Sequence, residues 1–166
     1  MKLRPSLSQF VHLLMVITLC IAIWRLTTHS SGERWLTYKR GEHISNSIWR
    51  VMPDAKRTVV VINRSGCHFC TASMPFYAKL VRVAADAGAE VISVTPEDKT
   101  ANERYLDSHH VHVDRVVELK DTPLRVSGTP TLIVMDQSKT VLGAWVGELP
   151  SEDEQRVLRL IQSGSP

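Results

Sequence analysis

Two cysteines spaced two residues apart, just past a run of β-branched residues, constrain this chain more than any other feature. The segment VVVINRSGCHFCTASMPFYAKL spans Val59 to Leu80. Thr58 to Ile62 reads as a strand buried on both faces. After a short loop, Asn63–Gly66, the stretch from Cys67 to Ala87 carries Met74, Tyr77, Leu80, Val81 and Ala84 at helical spacing. Gly88 supplies a helix stop, and Pro75 is expected to kink this helix rather than end it. A thiol at the start of such a helix faces unpaired backbone N–H groups and the positive end of the helix dipole, both of which favour the thiolate. Cys70, one turn on, lies within bonding reach but deeper. That asymmetry assigns roles: Cys67 attacks, and Cys70 resolves the mixed disulfide.

Other uses of the pair meet specific obstacles. A c-type haem anchor requires His directly after the second cysteine, and Thr71 stands there. A zinc-type site would draw on His109, His110 and His112, whose spacing does not fit, and there is no second cysteine pair. Two readings from other classes stay open: a metallochaperone carrying copper(I) on the two thiols, and a redox-inert docking module. Three cysteines in 166 residues are too few for a disulfide framework, and 43% hydrophobic with 22% charged residues is a globular composition. The charge of +3 is modest, with basic residues alternating with acidic ones, so no nucleic-acid partner is expected. No dissociable cofactor and no metal are implied.

The remaining chain reads as a strand in AEVISVTPED, a short helix over 98–109, an extended piece in DRVVELK, then a strand, turn and strand in TPTLIVMD and TVLGAWVG. Ser151 and Glu154 suggest a capping box ahead of a closing helix. Crossovers imply parallel pairing in the first half and the short turn implies antiparallel pairing in the second. The expected fold class is α/β, a central mixed sheet with helices on both sides.

CHFCTASMP, Cys67 to Pro75, resembles the active-site helix of the thioredoxin-like superfamily, in which a proline stands five residues after the second cysteine. VSGTPTLIVMD resembles the loop and strand that carry that family's cis-proline, here Pro130 after Thr129. TPTLIVMDQSKTVLGAWVGEL is further similar to membrane-tethered TlpA/ResA-type thiol–disulfide proteins, and the likeness covers about residues 57–162. It implies a thioredoxin-like thiol–disulfide oxidoreductase with a redox-active disulfide between Cys67 and Cys70. Client proteins would dock against Thr129 and Pro130, and a redox partner would reset the pair, with a lean towards reduction. Three positions depart from the pattern. Gly66 replaces a tryptophan, Val61 a buried aspartate, and Ser73 an acid, which leaves water or His68 to handle the proton of Cys70.

His68 follows the attacking cysteine. Protonated, it would stabilise the thiolate and make the disulfide more oxidising; the competing reading has it pointing into solvent. Phe69 is read as part of an apolar rim for clients. Arg64 either adds positive potential or is a solvated loop charge.

FVHLLMVITLCIAIW, Phe10 to Trp24, is uncharged and follows Lys2 and Arg4. With its flanks it reaches about 30 Å as a helix, the thickness of a bilayer's hydrocarbon. No A-x-A cleavage site follows. The expected organisation is a basic tail over 1–9, a transmembrane signal-anchor over 10–26, a linker and lead-in over 27–56, and the thioredoxin-like domain over 57–163. The domain is expected in the periplasm, tethered to a bacterial inner membrane, with a cleaved soluble form as the alternative.

Overall fold

The strand ahead of the cysteines is the spine of the molecule. A computed structural model describes residues 14–19, 38–44, 55–122, 124 and 126–163. β1 (Arg57–Ile62) is buried along all but its first residue. It is followed by α1 (His68–Ala72), α2 (Met74–Asp86), β2 (Glu90–Thr95), α3 (Lys99–Ser108), β3 (Arg115–Glu118), β4 (Thr131–Asp136), β5 (Val141–Val146) and α4 (Ser151–Gln162). The sheet order is β3-β2-β1-β4-β5. β1 pairs in parallel with β2, and β2 with β3, while β4 runs antiparallel to both β1 and β5. The mixed sheet expected from the crossovers and the hairpin is thus present, with β1 at its centre.

One face of the sheet, carrying Val59, Val61, Val91, Leu132 and Val134, receives Tyr77 and Leu80 of α2, Leu106 of α3, and Val157 and Ile161 of α4. The long helices therefore gather on one face among the described residues, rather than on both. Strands β1, β2 and β3 step across the sheet in one direction, so two right-handed crossovers deliver α2 and α3 to the same side. The opposite face, with Val60, Ile62, Ile92, Val94, Ile133 and Met135, is covered by Tyr38, Ile44 and Leu124. Tyr38 and Ile44 come from the stretch read as linker and lead-in. That stretch hydrogen-bonds to the start of β5, Gly41 N–H donating to Val141 O at 2.8 Å and Val141 N–H to Glu42 O at 2.8 Å. Part of the lead-in is therefore domain core.

Two local expectations are corrected. The helix after Cys67 breaks at Ser73 instead of continuing through a kink. Pro75 has no N–H to give the carbonyl of Thr71, so the ladder is interrupted and a second helix begins with the proline in its first turn. At the C-terminus the N-cap is Pro150, whose carbonyl accepts from Asp153 and Glu154 N–H at 2.9 and 3.0 Å. Ser151 is already helical, so it forms no capping box. Glu152, Asp153 and Glu154 suit the positive helix end electrostatically instead. Gly88, at φ +64°, does stop α2.

The chain divides into two compact units, Met1–Trp35 and Leu36–Pro166. Within the first, only residues 14–19 are described; they are helical, with Leu14, Met15, Val16, Ile17 and Leu19 all exposed. No helix among the described residues is long and apolar enough to cross a membrane. Most of the span expected over 10–26 lies outside the described residues, as do Trp35 and Trp49, two lead-in tryptophans whose expected role is to cover the core edge.

Candidate active site

β1 ends inside the sheet and hands the chain to a loop of four residues, Asn63–Gly66, before Cys67. Asn63 is fully buried and closes a ring of side-chain hydrogen bonds: Asn63 Nδ2 donates to Ser93 Oγ, Ser93 Oγ to Asn102 Oδ1, and Asn102 Nδ2 to Asn63 Oδ1, each at 2.8 Å. Every member has a partner, which is the condition under which a buried polar cluster rigidifies rather than destabilises. Gly66 sits at φ +66°. A tryptophan at this position would be forced into a conformation L-residues rarely hold, so the glycine follows from the turn.

Cys67 is the N-cap of α1, and the N–H of Cys70 donates to its sulfur at 3.2 Å. From the opposite side comes Thr129, joined to Pro130 by a cis peptide bond. Its hydroxyl donates to the Cys67 sulfur at 3.5 Å, and its carbonyl accepts from the thiol at 3.4 Å. The loop is tied to the end of β5, Gly147 N–H donating to Pro130 O at 2.7 Å. Cys67 is 8% exposed and Cys70 not at all; both are free thiols.

This geometry splits the two thiols. Burial pushes Cys67 up, but the side chain of Cys70, the Thr129 hydroxyl, the Cys70 N–H and the charge of Arg64 outweigh it and hold the thiol below its ordinary value. Burial, followed by the hydrogen bond to Cys67, raises Cys70 to about 11 against weaker help from the Arg64 N–H and Thr129. The result is one ionisable thiol, largely buried but with 8% exposure, and one protonated thiol fully buried behind it, the arrangement nucleophilic exchange requires.

The residues singled out by sequence mostly converge. Thr129 lies against Cys67, with Pro130 next to it across the cis bond, and Arg64 contributes through both its charge and its backbone N–H. His68 and Phe69 stand on the exposed side of α1, their rings edge to face at 5.5 Å, with Phe69 54% exposed. A shallow depression beside Phe69 is lined by Gly147, Glu148, Leu149 and Pro150. Ser73, which stands where the resembled family carries an acid, caps its own turn by donating to Phe69 O at 2.8 Å, and Val61 belongs to the helix-side core. Sequence reasoning placed Thr129 against the client and missed its hydroxyl on the Cys67 sulfur. It also missed the Asn63–Ser93–Asn102 ring; Asn63, a polar residue directly ending a buried strand, was the available signal.

The histidines downstream take other roles. His109 packs edge-on against Tyr105 at 5.1 Å, and His112 Nδ1 lies 3.4 Å from Asp107. No three or more His, Cys, Asp or Glu side chains converge on a metal-binding point among the described residues.

No family model matches the chain, and no curated protein sequence does. Solved structures do match. A thiol:disulfide interchange protein from Bacteroides sp. superposes with a TM-score of 0.54 at 18% identity, covering 65% of this chain and 74% of that one. A thiol:disulfide interchange protein of the thioredoxin family from Chlorobium tepidum TLS gives 0.53 at 18% identity, covering 64% and 80%. Peroxiredoxin Q from Xanthomonas campestris gives 0.51 at 13% identity, covering 66% and 80%. The fold is therefore thioredoxin-like, a mixed sheet with flanking helices. Its structural neighbours include thiol:disulfide interchange proteins, and because a peroxiredoxin shares the fold, the chemistry has to be argued from the site.

Proposed function

We propose that the protein is a thiol–disulfide oxidoreductase exchanging disulfides with client proteins through Cys67 and Cys70. One observation carries this reading: Cys67, 8% exposed, receives donors at its sulfur from Cys70 and Thr129, while Cys70 is fully buried behind it. In the reductive direction the Cys67 thiolate attacks a client disulfide, and one client sulfur leaves and takes a proton. Cys70 then loses its proton and attacks Cys67, releasing the second client thiol and leaving a Cys67–Cys70 disulfide. Two electrons and two protons have passed to the client, and a redox partner returns them. Thr129 and Pro130 form one wall of the client site; Phe69 and the depression beside it form the apolar rim, and His68 stands at its edge.

The reading includes the N-terminal anchor and an extracytoplasmic domain. Residues 14–19 support it, being helical and exposing apolar side chains on every side, as suits lipid better than water. The resemblance to ResA-type sequences supports the reductive direction, whereas the stabilised Cys67 thiolate pulls towards oxidation.

Equilibration of the full chain in glutathione buffers tests the core of the proposal. A dithiol–disulfide transition is expected, with a midpoint near about −270 mV for a reductant and about −120 mV for an oxidant. Cys67→Ser should abolish exchange, and Cys70→Ser should accumulate mixed disulfides with a disulfide peptide. If no intramolecular disulfide forms at any potential, the proposal is wrong. Tight stoichiometric copper(I) uptake by a pair inert to disulfides would favour a metal carrier. Alkaline extraction of membranes tests the anchor: the full chain should stay with the lipid and a chain beginning at residue 36 should not.

A further inference from the structure

The cysteine motif is gripped from one side by a single stretch of chain, Thr95 to Tyr105, at three points. Asn102 holds Asn63 at 2.8 Å, within the buried ring already described. Tyr105 Oη lies 2.9 Å from Thr71 Oγ1, and that hydroxyl donates to the carbonyl of Cys67 at 3.3 Å. Between these two, the carboxylate of Glu97 takes both donors of Ser65: the backbone N–H at 2.9 Å and the hydroxyl at 2.7 Å. Glu97 is itself held in place, since its own N–H donates to the buried Thr95 hydroxyl at 3.2 Å.

The middle grip matters because of what surrounds it. Arg64 and Gly66, on either side of Ser65, are exposed, and nothing lies within 4 Å of where a Gly66 side chain would start. The loop between Asn63 and Cys67 is thus held by the Arg64 N–H on the Cys70 sulfur and, at Ser65, by a pair of charge-assisted hydrogen bonds to one carboxylate. Two residues on, the Cys67 sulfur must meet the Cys70 N–H at 3.2 Å and the Thr129 hydroxyl at 3.5 Å. Contacts that long tolerate little displacement before they are lost.

We propose that Glu97 is a positioning residue for Cys67: by fixing Ser65 it holds the attacking sulfur between its two donors. The inference rests on the oxidoreductase reading for its consequence in turnover, but not for its effect on the thiol. Its sign separates it from a simple charge effect. As a bare negative charge, Glu97 would disfavour the thiolate and its removal would make Cys67 more acidic. As an anchor it favours the thiolate, and its removal makes Cys67 less acidic. Glutamine retains one acceptor oxygen and so keeps one of the two bonds; alanine keeps neither.

The test uses the full chain with Glu97→Ala, Glu97→Gln and Ser65→Ala, each checked for an unaltered fold by circular dichroism. Two quantities are read: the pH dependence of Cys67 alkylation by iodoacetamide, and the rate of exchange with a small disulfide. Glu97→Ala is expected to move the alkylation profile to higher pH and slow exchange about tenfold or more at neutral pH, as displacement of a reacting group does. Glu97→Gln and Ser65→Ala should fall between it and the unaltered chain. An unchanged profile, or one moved to lower pH, overturns the proposal, as does a variant that loses only thermal stability. If the unaltered chain exchanges no disulfides, the oxidoreductase reading fails while the alkylation profiles still decide the role of Glu97.

Discussion

The chemistry of this protein is set by which atoms surround one sulfur. Thr129 both donates to Cys67 and accepts from it, so its hydroxyl serves the thiolate and its carbonyl the thiol. Thr129→Val keeps the shape and the carbonyl but removes the hydroxyl. Alkylation of Cys67 at pH 7 is expected to slow by about three- to tenfold, in keeping with the loss of one long hydrogen bond of ordinary strength. A titration of stability against pH would expose the partner thiol. Cys70 in the fold is raised to about 11 from an ordinary value of 9.0. Between those limits the unfolded chain has lost a proton that the folded one keeps, so folding draws stability from Cys70 below about pH 9 and loses it as pH rises towards 11. Reduced protein should weaken across that window, and Cys70→Ala should weaken less. Cys67 runs the other way, since its lowered value adds stability as pH rises towards 9.

At the scale of elements, the sheet depends on close approaches that a sequence pattern does not announce. The β4–β5 pair carries a register shift between Val134 and Met135, and Gly143 faces Val134 there. The indole of Trp145 folds back over this glycine: a side chain on Gly143 would begin 2.4 Å from the ring. Gly143→Ala is expected to displace Trp145 from the helix-side core and cost about 1–3 kcal/mol, measurable by urea denaturation with tryptophan fluorescence as the probe. The strands and helices themselves were legible in advance because period and composition are local. Thr58 to Ile62, read as a strand buried on both faces, lies in the central β1, and the helix expected over 98–109 is α3, with the Asp98 carboxylate accepting from Ala101 N–H at 3.1 Å. Both misread helix starts, at Ser73 and Pro150, turned on how a proline shares a hydrogen-bond ladder with its neighbours.

For the molecule as a whole, the boundary of the domain lies earlier than composition indicated. Tyr38 and Ile44 are buried in the sheet face that the long helices leave uncovered. A chain beginning at residue 36 is expected to unfold at the same urea concentration as the full chain. Ile44→Ala in either should cost about 2–4 kcal/mol, the usual range for such a truncation in a core. Equal stability of Ile44→Ala and the unaltered chain would show that the lead-in is not structural.

The residue order alone determined the strand-to-helix junction, the vicinity of the two thiols and the run of strands that makes a mixed sheet, because these depend on neighbours a few positions away. It also marked Thr129 and Pro130, through their likeness to a known loop. Only the tertiary structure decided how far each thiol is from its ordinary acidity, since that depends on Thr129, sixty-two positions beyond Cys67, and on burial from every side. It alone brought Glu97 to Ser65 and Asn102 to Asn63, contacts across the sheet that carry no signature in spacing. Chain-local forces wrote the elements; the electrostatics of the site exist only where distant segments meet.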